Sequence, residues 1–329
     1  MPRSLVTGGF GFVGSHVVER LARRGDEVVV YDLADPPPDL AHPPGAIRHV
    51  RGDVRDADAL ARAAAGVDEI YHLAAVVGVD RYLSRPLDVV EINVDGTRNA
   101  LRAALRAGAR VVVSSTSEVY GRNPRVPWRE DDDRVLGSTA TDRWSYSTSK
   151  AAAEHLAFAF HRQEGLPVTV LRYFNVYGPR QRPAYVLSRT IARLLRGVPP
   201  VVYDDGRQTR CFTWIDEAAE ATLLAAAHPR AVGECFNIGS SVETTVAEAV
   251  RLAGTVAGVP VAALSADTGA GLGARYQDIP RRVPDCGKAA ALLDWRARVP
   301  LVTGLRRTVE WARRNPWWTA QADDGLVVR

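Results

Sequence analysis

The fold is decided by a stretch near the amino terminus, Leu5-Val6-Thr7-Gly8-Gly9-Phe10-Gly11-Phe12-Val13-Gly14. Its apolar start predicts a strand, and a helix is expected over residues 15–24. The glycines permit a tight turn and let the backbone approach a pyrophosphate at the helix amino terminus. The next strand ends at Asp32, whose carboxylate can bind both ribose hydroxyls and repel a 2′-phosphate. The stretch therefore predicts a dinucleotide-binding α/β fold that takes NAD, with an incidental glycine-rich turn as the alternative.

Residues at the ends of the following strands extend the predicted NAD site. Asp53 follows a strand expected at residues 47–50 and can meet the adenine amino group, although an aspartate that starts a helix is the alternative. A further strand, residues 68–73, leads into small residues that let the cofactor pass close, and His72 within it is expected to be a core histidine. The predicted cofactor contacts are Gly8, Gly11, Phe12, Val13, Gly14, Asp32, Asp53, Val54, Leu73, Ala74, Ala75, Asn93, Tyr146 and Lys150.

The stretch over residues 110–150 carries the predicted chemistry. An apolar run ends in Thr116-Ser117-Glu118, which is typical of a buried strand that delivers polar groups at its carboxyl end. Tyr146 and Lys150 are about one helical turn apart, so both side chains lie on one face of a helix. A lysine ammonium favours a phenolate, and lowering a tyrosine pKa from about 10 towards 7 needs roughly 4 kcal/mol, which the lysine and a bound nicotinamide can share. The pair predicts a base that removes a proton from a sugar hydroxyl.

An ordinary helix can carry a tyrosine and a lysine at this spacing without any catalytic role, so the overall composition is informative. Lys150 and Lys288 are the only two lysines in a chain whose lysines and arginines number 42. Arginine cannot replace lysine as a compact, titratable charge beside a phenol. The presence of Lys150 in so arginine-rich a chain favours the catalytic interpretation.

Length and composition exclude several classes of protein. A chain of 329 residues is long for one domain, so two joined domains are expected. The net charge is only +4 and no basic block with interleaved aromatic residues is present, so nucleic-acid binding is not expected. No apolar run approaches the roughly 18 residues of a membrane span, and the start leaves no room for a signal peptide, which favours a cytoplasmic location. Cys211, Cys235 and Cys286 lack the spacing of a disulfide framework or a metal site.

The order of strands and helices predicts the domain organisation. Strand and helix patterns alternate up to about residue 178, which predicts a Rossmann-type, doubly wound parallel sheet covered by helices on both faces. Beyond this point the pattern loosens into a smaller carboxyl-terminal α/β domain for the substrate. We expect residues 1–178 to form the NAD-binding domain, with 212–239 returning to it. Residues 179–211 and 240–318 are expected to form the substrate domain, and 319–329 a tail.

Five motifs together resemble the extended short-chain dehydrogenase/reductases, an NAD-dependent epimerase/dehydratase family that acts on nucleotide sugars. They are the glycine stretch with Asp32, Thr116-Ser117-Glu118-Val119-Tyr120-Gly121, Tyr146-x-x-x-Lys150, Asn175-Val176-Tyr177-Gly178-Pro179-Arg180 and Arg282-Val283-Pro284-Asp285. The resemblance extends to about Arg314. It implies that the second domain binds a nucleotide sugar, and that helices over residues 86–107 and 145–164 form a homodimer interface.

The residues after the fifth strand distinguish the subgroups of this family. The 4,6-dehydratases typically carry Asp-Glu where this chain has Ser117-Glu118, and the 4-epimerases usually lack the glutamate. The segment from Thr116 and the Arg-x-Pro-Asp segment at Arg282 are similar to the UDP-glucuronic acid decarboxylases, which form UDP-xylose. A carboxylate at position 117 would also repel a carboxylate substrate. The resemblance implies catalytic roles for Tyr146, Lys150, Thr116, Glu118, Ser117 and Arg282, and substrate contacts at Asn175, Arg210 and Arg282.

Several alternatives stay open at this point. The chain has Tyr146-Ser147-Thr148-Ser149-Lys150 where decarboxylases often have Tyr-Asp-Glu-Gly-Lys, and Arg182-Pro183-Ala184-Tyr185 near their Asn-Asp-Gly-Arg segment. The first alternative is therefore a UDP-hexose or UDP-uronate 4-epimerase, and the next a nucleotide-sugar 4,6-dehydratase. A non-catalytic NAD-binding protein is the last, but it has no use for the intact Thr116, Tyr146 and Lys150. Arg282 can pair with the diphosphate or the carboxylate, or protonate C5.

Overall fold

The computed structural model describes residues 2–261, 263–266 and 277–321. Its strands are Arg3–Thr7 (β1), Glu27–Asp32 (β2), Ile47–Arg51 (β3), Glu69–His72 (β4), Arg110–Thr116 (β5), Val168–Tyr173 (β6), Val176–Tyr177 (β7), Val201–Tyr203 (β8), Thr209–Cys211 (β9), Thr213–Trp214 (β10), Glu234–Ile238 (β11), Glu243–Thr245 (β12), Leu264–Ala266 (β13) and Arg281–Arg282 (β14). Its α-helices are Phe12–Arg24 (α1), Ala57–Ala63 (α2), Val79–Ser84 (α3), Pro86–Ala107 (α4), Arg143–Glu164 (α5), Val186–Leu195 (α6), Ile215–Ala227 (α7), Val246–Ala257 (α8), Gly287–Leu293 (α9), Leu301–Arg314 (α10) and Pro316–Thr319 (α11). Short 3₁₀ turns span Ser117–Tyr120 and Pro229–Ala231.

Seven parallel strands form the main sheet in the order β11-β6-β5-β4-β1-β2-β3. The winding direction reverses between β1 and β4. In such a sheet the carboxyl ends of the strands on either side of the reversal leave a crevice for a ligand. The predicted doubly wound α/β fold is confirmed.

Apolar strands explain why helices cover both faces of this sheet. The central residues of β2 and β5, which include Val29 and Val112, are almost fully buried. On one face they pack with α1 and α7, and on the other with α2, α4 and α5. A strand buried on both faces has no polar side to expose, which is why these segments are continuous apolar runs.

The carboxyl-terminal part builds a smaller layer beside the sheet. Strands β12, β9 and β14 form one small sheet, and β13 pairs with β8 in another. Helices α6, α8 and α10 enclose a separate core that contains Ile191, Trp214, Leu305 and Trp318. Strand β11 joins the main sheet beside β6, whereas β10 pairs with β7 outside it. The exact division of the chain into two domains stays a prediction.

Two local features near the site are helix α3, which the sequence did not predict, and His72, which it did. Helix α3 was not expected from the sequence; it lies between Gly78 and Arg85 and its residue Tyr82 is buried next to Tyr146. The prediction for His72 is confirmed, because its ring bonds Thr7 and Thr97 at 2.8 and 3.1 Å, and burial lowers its pKa to about 3.

The cysteines bear on disulfide bonding, and the length of the apolar helices bears on membrane insertion. Cys211, Cys235 and Cys286 are free thiols. Within the described ranges, no helix has the length and apolar character needed to cross a bilayer. A cytoplasmic location stays a prediction.

Candidate active site

A cavity of about 1030 Å³ opens at the carboxyl ends of the parallel strands, where the winding direction reverses. It continues from the glycine-rich turn, past the end of β5, to the small sheet that contains β9 and β14. The predicted site residues that line it are Gly8, Gly11, Phe12, Val13, Gly14, Asp32, Asp53, Val54, Leu73, Ala74, Ala75, Thr116, Ser117, Glu118, Tyr146, Lys150, Asn175, Arg210 and Arg282. One continuous space therefore joins the predicted cofactor and substrate residues.

The glycine-rich turn has no room for side chains. Gly8 has a φ of +66°, and a Cβ atom there would lie 2.7 Å from the backbone of Ala74. A Cβ atom on Gly14 would lie 2.1 Å from the carbonyl oxygen of Gly8. Helix α1 consequently starts close behind the turn and directs its amino terminus at the cavity. This is the geometry that a pyrophosphate requires, so the turn fits a dinucleotide.

Asp32 presents a carboxylate to the same part of the cavity. Its Oδ2 accepts a hydrogen bond from Phe10 N at 2.9 Å, and its Oδ1 accepts one from Ala34 N at 2.9 Å. A carboxylate has about four acceptor positions, so both oxygens keep capacity for ribose hydroxyls. These contacts fit the ribose of NAD.

Asp53 also lies on the cavity wall, but Arg55 donates hydrogen bonds to both of its carboxylate oxygens. Its Oδ1 accepts a hydrogen bond from Arg55 N at 2.9 Å, and its Oδ2 accepts one from Arg55 Nη2 at 2.7 Å. Hydrogen bonds from Arg55 lower the pKa of this carboxyl, which is consequently ionised. Asp53 does not begin helix α2, whose N-cap is Asp56, a residue that accepts a hydrogen bond from Ala59 N at 2.9 Å. Its contact with adenine stays a prediction.

Asn93 is the predicted cofactor residue that the structure does not bring to the cavity wall. It is fully buried on α4. Its Oδ1 accepts a hydrogen bond from Val76 N at 3.0 Å, and its Nδ2 donates to Ser149 Oγ at 3.1 Å. Asn93 therefore stands behind the wall and ties the loop after β4 to helix α5.

Tyr146 and Lys150 lie on the buried face of α5, as their spacing predicts. Lys150 Nζ donates to the Ser114 carbonyl at 2.8 Å, and burial lowers its pKa to about 8 while the charge of Glu154 opposes this. Burial raises the pKa of Tyr146, and the charge of Glu118 raises it further, whereas a hydrogen bond with Thr116 acts against both. Burial of Tyr146 thus outweighs the charge of Arg282 and the Thr116 hydrogen bond, and the lowered tyrosine pKa expected from Lys150 together with a bound nicotinamide stays a prediction.

Glu118 is held by arginines from two distant parts of the chain. Its Oε1 accepts a hydrogen bond from Arg282 Nη1 at 3.0 Å, and Arg143 Nη2 lies 3.4 Å from the same oxygen. Burial works against ionisation of Glu118, but the charges of Arg143, Arg282 and Arg210 outweigh it and lower the pKa of the carboxyl. Its Oε2 is buried and has no hydrogen-bond partner among the described residues. Glu118 is thus an ionised carboxylate with one oxygen still available.

Arg210 and Arg282 are direct register partners on the parallel strands β9 and β14. Both are buried in the cavity wall. Arg210 Nη2 donates to the two carboxylate oxygens of Asp278 at 3.1 and 3.2 Å. Arg282 Nε is buried without a hydrogen-bond partner within the described part of the chain. The two guanidinium groups form a cationic wall that fits an anionic ligand.

Asn175 follows β6 in a left-handed backbone conformation with a φ of +39°. Its Nδ2 is buried and finds no hydrogen-bond acceptor among residues 2–261, 263–266 and 277–321. A buried amide N–H without an acceptor costs about 1–3 kcal/mol. A ligand oxygen in the cavity would satisfy it, which fits the predicted substrate contact.

Comparison with known proteins places these features in a family. The model of the NAD dependent epimerase/dehydratase family matches residues 4–239. The chain belongs to this family. It is 37% identical to a UDP-N-acetyl-α-D-glucosaminuronate decarboxylase of Bacillus cytotoxicus, with 94% of this chain and 98% of the relative covered. It is 36% identical to UDP-glucuronic acid decarboxylase 1 of Arabidopsis thaliana, with 93% of this chain and 69% of the relative covered.

A solved structure of a similar protein is MoeE5 in complex with UDP-glucuronic acid and NAD. The two share 34% identity with a TM-score of 0.84, over 95% of this chain and 99% of the other. The predicted family membership and the predicted cofactor NAD are both confirmed.

Three residues of this epimerase/dehydratase-family site were missed in the sequence. Arg143 lies three positions before Tyr146, and helical spacing was the signal that could have found it. Tyr185 lines the cavity after the Arg180 motif, and burial raises its pKa to about 12. Asp278 binds Arg210 across 68 residues of sequence, which no local pattern predicts.

Proposed function

We propose that this protein is an NAD-dependent UDP-glucuronate decarboxylase that releases CO₂ and forms UDP-xylose or UDP-4-keto-xylose. The observation that carries the proposal is the ionised Glu118, held by Arg282 and Arg143 in the cavity wall that also contains Tyr146. Ser117 stands where a dehydratase would place an acid. The decarboxylase relatives support the same reaction.

Binding of the substrate is assigned to the cationic wall and the free amide. Arg210, Arg282 and Asn175 provide donors for the diphosphate and the sugar. Asp278 holds the Arg210 guanidinium in place, so its orientation does not depend on the ligand. Preorganised donors cost less conformational entropy on binding.

Oxidation at C4 is assigned to Thr116, Tyr146 and Lys150. NAD held by the glycine-rich turn and Asp32 would supply a reversible hydride acceptor for C4 and a positive charge that favours the tyrosine phenolate. Tyr146 Oη takes the proton from the C4 hydroxyl, and Thr116 holds the phenol through a hydrogen bond. Lys150 keeps a positive charge behind the phenol.

Loss of CO₂ follows from the position of the new ketone. The C4 ketone lies β to the C6 carboxylate, so the electrons of the C5–C6 bond move into the ketone as CO₂ departs. No group has to expel a C6 hydroxyl, which agrees with serine at position 117. Arg143 and Arg282 neutralise Glu118 and keep the wall favourable for a second carboxylate. Water then supplies the proton that the resulting enolate takes at C5, which restores the C4 ketone.

A second substrate is favoured by one specific observation. The relative from Bacillus cytotoxicus is named for UDP-N-acetylglucosaminuronate, which differs from UDP-glucuronate at C2 and undergoes the same chemistry at C4 to C6. We include it as the alternative substrate of the same reaction.

The proposed assembly is a homodimer formed by α4 and α5. These helices pack against each other on one side of the sheet. Leu87, Val90 and Leu105 on α4 expose 68%, 43% and 38% of their surface. An apolar helix face of this kind is suited to a second copy of the chain.

The test supplies purified protein with UDP-glucuronate, and in parallel with UDP-N-acetylglucosaminuronate, without added reductant. We expect CO₂ and a pentose nucleotide from at least one of them. Formation of UDP-galacturonate with its carboxylate retained would identify a 4-epimerase and refute the proposal.

A further inference from the structure

A buried ion pair joins helix α5, which carries Tyr146 and Lys150, to strand β6. Glu154 follows Lys150 by one turn of α5, and Arg172 lies on β6. Arg172 Nε donates to Glu154 Oε1 at 2.9 Å, and Arg172 Nη2 donates to Glu154 Oε2 at 2.6 Å. Only 7% of the Glu154 side chain and 9% of the Arg172 side chain are exposed. None of the chemistry assigned above uses this pair.

Contacts of the pair reach both segments that carry catalytic side chains. Ser115 Oγ donates to Glu154 Oε1, one residue before Thr116. Arg172 Nη1 donates to Tyr120 Oη at 2.8 Å, and Tyr120 closes the turn that contains Glu118. The pair therefore ties helix α5 to the end of β5 and to the turn that follows it.

The network continues to the segment after Arg282. Tyr120 Oη donates to Asn237 Oδ1 at 2.7 Å, and Asn237 Nδ2 donates to the Trp128 carbonyl at 2.9 Å. The Val283 carbonyl accepts a hydrogen bond from Trp128 N at 2.8 Å. Both partners of the Glu118–Arg282 contact are thus anchored to the same buried network.

The titratable and polar groups that face Lys150 come from its own helix and from the strands packed against it. On its own helix it faces Tyr146 and Glu154, and Glu154 is the carboxylate that acts to keep its proton on. From β4 it faces His72, which is neutral at physiological pH because burial lowers its pKa. From β5 the Ser114 carbonyl accepts its hydrogen bond, and on β6 Arg172 donates to Glu154.

We propose that Glu154 and Arg172 are positioning residues of the active site: they hold α5 against the Thr116–Glu118 segment, and the Glu154 charge keeps Lys150 protonated. Replacing a buried ion pair by uncharged residues of similar size often leaves folding stability unchanged. Stability alone therefore does not explain the charge at position 154. The negative charge of Glu154 is explained by its effect on Lys150, which it keeps protonated. This explanation rests on the role proposed above for Lys150.

The test is a pH titration of Lys150 by NMR on protein labelled at the lysine side chains, in which only Lys150 and Lys288 contribute signals. Lys288→Arg keeps the surface contact with Glu234 and identifies the Lys150 signal. Lys150 is expected to titrate near pH 8 in the unsubstituted protein. Glu154→Gln is expected to lower this value by about 1 unit, because a neighbouring opposite charge is lost.

Two matched variants separate charge from shape. Glu154→Asp keeps the charge and disturbs the packing, so Lys150 is expected to titrate close to its original value. Should Glu154→Gln fail to fold, the double variant Glu154→Gln/Arg172→Gln removes both charges, and a downward shift of the Lys150 pKa is again expected because Glu154 is the charge that acts on Lys150. An unchanged Lys150 titration in the Gln variants, or an equal shift in Glu154→Asp, overturns the proposal.

Rapid NAD reduction in a single turnover adds a functional readout. The pH above which the rate of NAD reduction falls is expected to be lower in Glu154→Gln, since Lys150 loses its proton at a lower pH. A pH profile identical to that of the unsubstituted protein would overturn the link to C4 oxidation. If the unsubstituted protein reduces no NAD with either UDP-uronate, the proposed function fails, while the NMR titration still decides the role of Glu154.

Discussion

Glu118→Gln is the substitution that tests the site most directly. It keeps the shape of the side chain and removes its charge. In the folded protein Glu118 Oε1 lies 3.0 Å from Arg282 Nη1 and 3.4 Å from Arg143 Nη2. Arg143 is fully buried and also donates to Tyr82 Oη at 2.9 Å, so the substitution removes the Glu118 charge from among its neighbours.

The expected magnitude follows from these contacts. Breaking a buried ion pair on one side costs about 3–5 kcal/mol of folding free energy. Loss of a group that handles a proton costs about 10²-fold in rate or more, whereas loss of a group that only orients the sugar ring costs less. A 10²-fold loss corresponds to about 2.7 kcal/mol of activation free energy. UDP affinity is expected to change little, because Arg210 stays held by Asp278.

The assay compares single-turnover NAD reduction, CO₂ release and UDP affinity in Glu118→Gln and a matched control. Glu243→Gln is that control, because Glu243 accepts hydrogen bonds from Arg281, the neighbour of Arg282, at 2.8 and 2.9 Å, outside the cavity. The control is expected to keep its turnover. Full activity in Glu118→Gln would refute the use of the Ser117-Glu118 pair to identify a decarboxylase.

The same variant has an expected pH signature. The pKa of Glu118 is lower in the folded protein than its ordinary value. Such a carboxyl stabilises the fold above its unfolded pKa of about 4.3, and the stabilisation is lost as the pH falls through the lowered folded value. Glu118→Gln should therefore flatten the acid side of the unfolding free energy measured against pH.

Three further predictions concern the base, the cofactor turn and the assembly. Tyr146→Phe is expected to reduce NAD reduction by at least about 10²-fold while UDP binding, measured by calorimetry, is retained; near-normal turnover would remove Tyr146 as the base. Gly14→Ala is expected to weaken NAD binding by about 10-fold or more, because its Cβ would lie 2.1 Å from the Gly8 carbonyl oxygen; unchanged NAD affinity in a fluorescence titration would contradict the assignment of the turn. Sedimentation at micromolar concentration is expected to show a dimer that Leu87→Asp weakens, and a monomeric unsubstituted protein would contradict the proposed interface.

Local sequence was enough to predict most elements of the main sheet. Helix α4 was predicted with the bounds that it has, because Pro86 suits a first helical turn and Gly108 suits the left-handed end. Helix α1 begins at Phe12, three residues before the predicted start, since Gly11 takes an extended conformation before it. Helix α3 was not predicted, because a helix of six residues is too short to show a clear hydrophobic periodicity.

The sequence predicted those parts of the site in which residues close together in the chain carry the chemistry. The spacing of Tyr146 and Lys150 and the glycine turn depend on neighbours in sequence, so the chain alone placed them. Asn93 shows the limit of that method. A polar residue on a helix that faces the sheet looks the same in sequence whether it touches the cofactor or supports the wall from behind.

The sequence by itself determined the doubly wound fold, NAD as the cofactor and the family, because strand and helix periodicity and the glycine turn are short-range properties. Tertiary structure alone decided the charge state of the site. Glu118 and Arg282 meet across 164 residues, and Arg210 meets Asp278 across 68. Burial raises the pKa of Tyr146 against the effects of the Thr116 hydrogen bond and the Arg282 charge. Electrostatic energies depend on distance and on exclusion of water, and both are set only when strands far apart in the chain pack together.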